Sequence, residues 1–341
     1  MVESMEPLVS VVVIGRNEGE RLVNCLASVN RVPQDGFRIE LIYVDSSSSD
    51  GSPARARSLG ANVIEIDPEQ PSAATGRNAG WRASRGEFVL FLDGDTTLHN
   101  GFIRRALDAI GEPQVAVVWG HRRERAPEQS IYVRALDLDW IYPPGNSAFC
   151  GGDALMRRDA LLHVDGFDDT LIAGEEPELC RRLRACNYRI IHIDAPMTQH
   201  DLGITSFSAY WRRAFRAGHA YAEVAHRYRD SADPLWRDES RSNLIKGLIL
   251  LVTPFMFTLA LSISPVLALG LCIAAAGFLA RSAYRCRWKS NDRTTRWIYA
   301  GHSLLQQVPI MFGQLAWHLN RWKGQRQRLI EYKRPSAIRC D

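Results

Sequence analysis

Four short apolar runs alternate with amphipathic stretches over the first hundred residues, and each run ends in polar or acidic residues. Runs of this length separated by helical patterns are typical of repeated βαβ units. We therefore predict an α/β fold with a mostly parallel central sheet. Ligands of such sheets bind outside the carboxyl ends of the strands, so the residues that follow the runs are expected to line one pocket. The runs are Val9 to Ile14, Leu41 to Val44, Val63 to Ile66 and Phe88 to Leu92.

The stretches between the runs carry apolar residues at helical spacing. In residues 20–30 this spacing predicts a helix that packs one face on the sheet. Further helices are predicted at 52–59, 73–83 and 102–110, and a further buried strand at 115–119. Beyond residue 120 the alternation becomes irregular in a stretch rich in Pro, Gly and Arg.

Residues 244–280 form a long apolar stretch with one charge, Lys246. A bilayer core needs about 20 helical residues, so the stretch is long enough for one long span or two short ones. Ser264-Pro265 near its middle suits a hairpin turn. A buried helix pair of a soluble protein is the alternative. Residues 297–319 are a weaker third segment, interrupted by His and Gln, which would cross the membrane or lie in the interface.

These shifts in composition predict four regions. A first domain occupies residues 1–230, a linker or interfacial segment 231–243, membrane-associated helices 244–320 and a basic cytoplasmic tail 321–341. Arginines flank the apolar stretch on both sides, which for a hairpin predicts a first domain on the cytoplasmic face of the inner membrane. The basic clusters suit anionic membrane lipids, although such runs also occur as solvated surface.

Charge and cysteine content narrow the setting further. A net charge of +4 does not indicate a nucleic-acid partner, and none is predicted. The seven cysteines include no CxxC pair, which favours reduced thiols over a disulfide framework or a zinc site. Acidic Glu3 and Glu6 are not typical of a secretory signal, so we expect a cytosolic setting for the first domain.

An acidic pair, Asp93-Gly94-Asp95, follows the fourth run. If the chain turns at Gly94, one carboxylate can reach a sugar hydroxyl while the other binds a divalent ion, because Mg²⁺ and Mn²⁺ prefer oxygen ligands. A plain strand cap is the alternative for this pair taken alone.

Two further polar segments follow strand ends or precede helices. The loop that starts at Asp45 and includes Ser47 and Asp50 offers hydroxyls and carboxylates to a nucleoside, although it would equally form a turn and a helix cap. Arg77, in residues 75–80, can place a cation near the pocket, or it is a solvated arginine on a helix.

Together these segments resemble the family 2 glycosyltransferases of the GT-A fold. The resemblance rests on motifs in a fixed order over about residues 8–220, each of them weak by itself. They are residues 11–18, 44–52, 76–80, 91–95 and 166–169, the last leading into 174–183. The resemblance implies that the first domain is catalytic and transfers a sugar from a nucleotide-sugar with inversion at the anomeric carbon.

The resemblance also implies roles for individual residues. Residues matching Asp93 and Asp95 hold the donor sugar and an Mn²⁺ or Mg²⁺ ion, which stabilises the charge of the diphosphate leaving group. The residue matching His200 often completes the metal site, although a lone His is also a common structural residue. Contacts to the nucleotide are implied for the residues matching Asn17, Glu18, Asp45 and Arg77.

Inversion requires a base for the acceptor hydroxyl, and the resemblance assigns it to Glu176. The family usually has Glu-Asp where this chain has Glu175-Glu176, so Glu178 is kept as a second candidate, and helix capping as the alternative for all three. The acceptor side is expected at Gly151, Gly152, Asp153 and Glu175.

The expected base also favours a hydroxyl acceptor, because a phosphate acceptor is already ionised and would not need a base. We expect a lipid-linked or glycan acceptor and a UDP-sugar rather than a GDP-sugar. The chain lacks the Gln-x-x-Arg-Trp order of processive relatives, so transfer of a single sugar is predicted. A nucleotidyltransferase and a non-catalytic, membrane-anchored scaffold that binds nucleotide-sugars remain as alternatives.

Overall fold

The computed structural model describes residues 6–69 and 71–325 of the chain. Its nine strands are β1 Leu8–Gly15, β2 Arg38–Ser46, β3 Asn62–Ile66, β4 Phe88–Asp93, β5 Thr96–Leu98, β6 Val115–Glu124, β7 Gly145–Ser147, β8 Ala154–Arg157 and β9 Arg189–His200. The first seven helices are α1 Glu20–Asn30, α2 Ser52–Ser58, α3 Ala73–Ala83, α4 Phe102–Ala109, α5 Ile131–Asp137, α6 Arg158–His163 and α7 Glu175–Ala185. They are followed by α8 Phe207–Arg227, α9 Arg237–Ile263, α10 Pro265–Arg285, α11 Arg293–Leu305 and α12 Gln307–Trp322.

The described chain forms two compact units. The first comprises residues 6–125 and 142–202, and the second residues 126–141 and 203–325. Residues 126–141 and 203–230, assigned from the sequence to the first domain, thus group with the C-terminal helices. Most of the predicted basic tail lies outside the described residues.

A single sheet organises the first unit, with the strand order β3-β2-β1-β4-β8-β6-β9-β5 and with β7 paired to β9. β1 to β4 run parallel to one another, as the alternation of apolar runs and helices predicts. β8 is antiparallel to both β4 and β6. The predicted α/β class and mostly parallel sheet are confirmed.

Apolar packing fixes the helices against this sheet. Val11, Val12 and Val13 are fully buried in β1, and α1 buries Leu22 and Leu26 as its spacing predicts. Burial of such side chains contributes about 1.5–3 kcal/mol each, so the position of the strand ends is strongly determined. The carboxyl edge of β1, β2 and β4 is therefore a rigid platform for the polar loops that follow.

β6 continues five residues beyond the strand predicted at 115–119. The additional residues, 120–124, pair with the end of β9 through several register shifts. Buried Gly120, Arg122 and Glu124 alternate with the less buried His121 and Arg123 along this extension. The alternation follows the side-chain period of a strand, which places Arg122 and Glu124 on one face.

The second unit is helical. Residues 131–137 join the C-terminal helices through Arg134, which donates to Asp292 at 2.9 Å and to Thr295 at 2.7 Å. α8 and α12 approach so closely that a Cβ on Gly218 would lie 2.0 Å from the carbonyl oxygen of Ile310. A larger residue at this position would force the two helices apart.

Two helices of the described residues, α9 and α10, are long and apolar enough to cross a membrane. Their most apolar windows have mean hydropathies of 2.1 and 1.9, and only 6% and 11% of those residues are buried. They meet at Ser264, where the sequence predicts a hairpin turn. The third apolar segment is divided at Gln306 into α11 and α12, of 13 and 16 residues. Each is shorter than the roughly 20 residues that a full span requires.

Candidate active site

The Asp-Gly-Asp sequence lies at the carboxyl edge of the sheet. Asp93 is the last residue of β4, and Gly94 donates its backbone N–H to the carbonyl of Ile14 at 2.8 Å. A Cβ on Gly94 would lie 3.0 Å from that oxygen and 3.2 Å from Cγ of Glu18. A side chain at this turn would thus be tightly confined, and the turn sends the two aspartate side chains to different hydrogen-bond partners.

Two buried arginines hold the carboxylate of Asp93. Arg77 of α3 donates from Nη2 to Oδ1 at 2.9 Å, and Arg122 of β6 donates from Nη1 to Oδ2 at 3.3 Å. Both guanidinium groups are almost inaccessible to solvent, whereas 27% of the Asp93 side chain is exposed. The two guanidinium groups thus provide permanent positive charge on the buried side of a carboxylate that is partly exposed on the other side.

Asp153 supports this arrangement from the protein interior. Its Oδ1 accepts the backbone N–H of Asp93 at 3.0 Å, and its Oδ2 accepts from Arg122 at 3.2 Å and from Thr198 at 2.7 Å. Its side chain is fully buried, and this burial, opposed by the charge of Arg122, raises the pKa of Asp153. The expectation that Asp153 faces an acceptor is corrected, because its carboxylate is enclosed by these partners.

Arg77 also reaches the first turn of α7. Its Nη1 lies 3.0 Å from Oε1 of Glu175 and 3.1 Å from Oε1 of Glu176. One guanidinium thus joins Asp93 to both glutamates. Arg77 is 2% exposed, so it is neither a solvated arginine nor placed at the surface for contact with a nucleotide. Glu175, predicted on the acceptor side, is buried at this ion pair.

Glu176 has the environment expected of a general base. Burial and the charge of Glu175 raise its pKa to about 7, although Arg77 opposes the shift. The side chain retains 17% exposure, so part of it is accessible from outside. A base whose pKa lies close to the working pH is efficient, because it is substantially ionised yet still basic.

Glu178, the second candidate base, has a structural role. Its two oxygens accept from Nε and Nη2 of Arg182 at 2.8 and 2.6 Å. Arg182 in turn donates to the carbonyls of Val164 and Gly166. Glu178 is 2% exposed, so this ion pair fastens α7 to the loop before it and leaves the carboxylate far less accessible than that of Glu176.

Asp95 belongs to a separate buried cluster. Its Oδ2 lies 3.1 Å from Nε2 of His200, and Nδ1 of His200 lies 2.6 Å from Oε1 of Glu124. All three residues are at most 6% exposed. Burial and Arg122 lower the pKa of His200, but Asp95 and Glu124 outweigh them, so that the pKa is raised.

Strand register brings this cluster together. His200, at the end of β9, is the partner of Thr96 in β5 and of Glu124 in β6. The backbone N–H of Asp201 also donates to the carbonyl of Asp95 at 3.0 Å. Asp95 immediately precedes β5, so these pairings place its carboxylate beside the imidazole.

The composition of the site fits a divalent cation. Among residues 6–69 and 71–325, no three His, Cys, Asp or Glu side chains converge in a ready-made metal site. The site nevertheless holds six carboxylates, four of them buried, beside the buried Arg77, Arg122 and a titratable His200. Asp95 and His200 supply an oxygen and a nitrogen that such ions accept, and Glu124 holds the other ring nitrogen as carboxylates commonly do beside metal-bound His. The carboxylates are Asp93, Asp95, Glu124, Asp153, Glu175 and Glu176.

Hydrogen bonds tie the loop after β1 to the loop after β2. The side-chain oxygen of Asn17 accepts from the backbone N–H of Ser49 at 2.8 Å, and its own N–H donates to Ser48 at 2.9 Å. Asp50 accepts from the backbone N–H of Gly19 at 2.9 Å. Asn17 adopts a left-handed backbone with φ 55°, which Asn tolerates better than most residues. These two predicted nucleotide residues therefore shape the loops.

Asp45 and Ser47 occupy the same loop with different exposure. Asp45 is 1% exposed and accepts from the hydroxyl of Tyr43 and the backbone N–H of Ser48, both at 2.7 Å. Ser47 is exposed and donates to Asp67 at 2.7 Å. Of the two, Ser47 is the one a nucleoside would reach without displacing buried partners.

Gly152 lies directly against the Asp93 site. A Cβ at this position would be 2.5 Å from Nη2 of Arg77 and 3.0 Å from Oδ2 of Asp93. Gly151 is buried beside it, and the preceding Cys150 lies 3.6 Å, sulfur to sulfur, from Cys180 of α7. The absence of a side chain at Gly152 thus lets the backbone approach the carboxylate of Asp93.

Arg122 and Glu124 are the site residues that the sequence analysis missed. Both lie in the extension of β6, where a run of polar residues obscures the strand. The signal that could have found them is the alternation Gly120, Arg122, Glu124, with the intervening positions more exposed. The remaining predicted residue, Glu18, forms a 2.8 Å ion pair with Arg21 and lies beside Gly94.

Residues 10–164 match the model of glycosyl transferase family 2. A pre-mycofactocin glycosyltransferase of Mycobacterium tuberculosis is 30% identical over 244 residues, 67% of this chain. The chain spans about half of that relative, 49% of its length. The glycosyltransferase AglE of Haloferax volcanii is 24% identical over 64% of this chain and 74% of its own.

A solved structure supports the same fold. A mannosyltransferase of Pyrobaculum calidifontis, in complex with GDP-Man and Mn²⁺, superposes with a TM-score of 0.62 over 89% of this chain and 88% of its own, at 18% identity. The predicted GT-A fold is thereby confirmed. Residues 10–164 of the chain belong to glycosyl transferase family 2, a family of transferase enzymes.

Proposed function

We propose that the chain is an inverting glycosyltransferase that moves one sugar from a nucleotide-sugar to a hydroxyl group, with Glu176 as the general base. The observation that carries this proposal is the link through Arg77 between Asp93 and Glu176. It joins a partly exposed carboxylate, suited to a donor sugar, to a partly exposed base. Family membership supplies the class of reaction.

In the proposed reaction the acceptor hydroxyl attacks the anomeric carbon as the bond from that carbon to the diphosphate oxygen breaks. Glu176 takes the hydroxyl proton, so the acceptor gains the sugar and the nucleoside diphosphate leaves with the bonding electron pair. Attack opposite the leaving group inverts the anomeric carbon. Because its pKa lies near 7, Glu176 is ionised in a large fraction of molecules at neutral pH.

Asp95 and His200 are the residues that would hold Mn²⁺ or Mg²⁺, and the bound ion would supply positive charge to the diphosphate. Asp93 remains with Arg77 and Arg122, which fix the direction of its exposed oxygen toward sugar hydroxyls. The excess of carboxylates over cations at the site supports this division, since a site of this charge favours a cation.

We further propose that the acceptor is lipid-linked or a glycan and that α9 and α10 anchor the chain in the cytoplasmic membrane, with the catalytic domain facing the cytoplasm. The low burial of these two apolar helices supports the anchor. Lys246 lies near the start of the apolar part of α9, and Arg281 and Arg285 near the end of α10. A hairpin would leave these charges on one face, as the excess of positive charge on cytoplasmic segments requires.

The first test is nucleotide release by detergent-purified protein with UDP- and GDP-sugars, in Mn²⁺ and in EDTA. UDP-sugars are tested first, as the sequence analysis favours them. Donor-dependent release that Glu176→Gln abolishes would support the proposal. Donor binding without release, even with lipid and glycan acceptors present, would favour a scaffold. Pyrophosphate release from a nucleoside triphosphate would favour a nucleotidyltransferase.

A further inference from the structure

Glu124 is a buried acid whose two oxygens have separate partners. Oε1 lies 2.6 Å from Nδ1 of His200, and Oε2 accepts the backbone N–H of Leu202 at 3.2 Å. Its side chain is 2% exposed. A carboxylate removed from water this completely is costly unless its charge is compensated and its oxygens are hydrogen-bonded. Its place here therefore calls for a cation or strong donors next to it.

The contacts of Glu124 determine how His200 is presented to Asp95. An imidazole that donates its Nδ1 proton to a carboxylate carries its lone pair on Nε2 when neutral. In this structure Nε2 is the atom that lies 3.1 Å from Asp95. In the neutral form, the lone pair on Nε2 of His200 and the nearby carboxylate oxygen of Asp95 would thus be directed toward the same point.

The backbone around His200 is fixed by the same residues. The carbonyl of His200 accepts from the N–H of Arg125, and the N–H of Asp201 donates to Asp95. With the Leu202 bond to Glu124, the chain on both sides of the imidazole is held by the ends of β6 and β5. The backbone of His200 is therefore fixed, and the shorter of the two ring contacts, at 2.6 Å, is the one from Nδ1 to Glu124.

We propose that Glu124 is a positioning residue for cation binding, which holds His200 with Nε2 directed to the ion shared with Asp95. The inference rests on the proposed function, since that function supplies the need for a divalent ion. Glu124 touches neither substrate nor ion. Its negative charge increases the basicity of the imidazole, and its geometry removes the alternative tautomer in which Nδ1 carries the lone pair.

The test is the affinity of the full-length protein for Mn²⁺, measured from the spectrum of free Mn²⁺ by electron paramagnetic resonance, with and without UDP. We expect Glu124→Gln to weaken Mn²⁺ binding about 10- to 100-fold, the usual effect of removing an outer carboxylate. Glu124→Asp, which keeps the charge, is expected to fall between Gln and the wild type. Glu20→Gln removes an exposed glutamate paired with Arg55 and should leave the affinity unchanged.

A double-mutant comparison separates positioning from general loss of structure. Because Glu124 acts through His200, Glu124→Gln should cause no further loss in a His200→Ala background. An equal loss in both backgrounds would overturn the inference, as would wild-type affinity in Glu124→Gln. If Glu124→Gln does not fold, Glu124→Asp decides, because full wild-type affinity for a carboxylate one methylene shorter would contradict positioning.

The outcome also distinguishes this inference from the proposed function. If the wild type binds no Mn²⁺ with or without UDP, the inference falls, while donor-dependent release in EDTA would still support the transferase. If Mn²⁺ binds normally but Glu124→Gln has no effect, only the positioning role falls. Metal affinity is read independently of turnover, so an unidentified acceptor does not affect either result.

Discussion

The two carboxylates of Asp93 and Asp95 are separated by one residue and have opposite surroundings. Asp93 is held by two guanidinium groups, Arg77 and Arg122, and remains partly exposed. Asp95 is buried against one imidazole, His200. Guanidinium groups are permanently charged in proteins, whereas the charge of an imidazole changes within the physiological pH range. Asp93 thus has two permanently charged hydrogen-bond partners, whereas Asp95 lies beside a partner that can give up its proton and interacts with the charge of Arg122 at longer range.

This difference indicates how one short turn can serve two tasks. A carboxylate that already has fixed cations binds an additional metal ion weakly, but it can still accept hydrogen bonds from sugar hydroxyls. A carboxylate beside a titratable imidazole can bind a metal ion once the imidazole has lost its proton and its positive charge. Four measurements would break or sharpen the comparison, beginning with the base joined to the Asp93 side.

Glu176→Gln should give the largest effect. Loss of a general base lowers kcat by about 10²- to 10⁴-fold, while donor affinity should change little because the amide keeps the shape of the side chain. Glu178→Gln is the matched control, since it breaks the Arg182 ion pair and should lower thermal stability without changing the pH dependence of turnover. Wild-type kcat in Glu176→Gln would remove Glu176 from the mechanism.

Asp95→Asn and Asp93→Asn should separate the two sides directly. We expect Asp95→Asn to weaken Mn²⁺ binding by at least about 10- to 100-fold, the range found when supporting ligands alone are lost. Asp93→Asn should retain most of the Mn²⁺ affinity and lose discrimination among donor sugars. Calorimetric titration with Mn²⁺, then with donor, measures both. Equal loss of metal affinity in the two variants would show that the aspartates share the ion.

Arg77→Lys and Arg77→Gln should move the pH dependence of turnover. Arg77 lowers the pKa of Glu176 against the larger effect of burial, so its removal should raise that pKa above 7. Turnover increases with pH as Glu176 ionises. In Arg77→Gln this increase should occur about one pH unit higher than in the wild type. Arg77→Lys keeps a charge and should shift less. If an active, folded variant shows the same pH dependence of turnover as the wild type, Glu176 is not the group that titrates.

Glu176→Gln should have a smaller effect on thermal stability, and in the opposite direction, since the variant should be more stable although it turns over more slowly. The pKa of Glu176 is raised from 4.5 to about 7 in the folded state, so between these values the folded protein binds more protons than the unfolded chain. Its contribution is present at low pH and is lost as pH rises through about 7. Glu176→Gln should therefore gain in Tm relative to the wild type between pH 5 and pH 8. Each kcal/mol corresponds to about 2–4 °C in a domain of this size, and a constant difference would contradict the shifted pKa.

The sequence alone was sufficient to predict the edge of the sheet on which the site is built. Apolar runs mark the strand ends, and the residue types after them predict an acidic pocket at the carboxyl edge, where Asp93 and Asp95 lie. These features are local, because strand periodicity and turn residues are read from a few neighbouring positions. The resemblance to a family then directed attention to Glu176 and His200.

The sequence did not reveal how the charges are paired. Glu124 and His200 are 76 residues apart, and they meet only because of the register between β6 and β9. Arg77 was interpreted as a cation near the nucleotide, yet packing of α3 places it between three carboxylates. Asp153 was expected at the acceptor, yet it supports Asp93 from the interior. Register and packing at long sequence separation decide these roles, and no local pattern encodes them.

The membrane anchor proposed for α9 and α10 has a consequence for kinetics. An enzyme held in a bilayer meets a lipid-linked acceptor by diffusion in two dimensions, so its rate follows the mole fraction of acceptor in the lipid rather than the molar concentration in the tube. Adding detergent at constant acceptor and enzyme would slow turnover by surface dilution. The soluble nucleotide-sugar would still obey its bulk concentration, and the two substrates of one reaction would be measured on different scales.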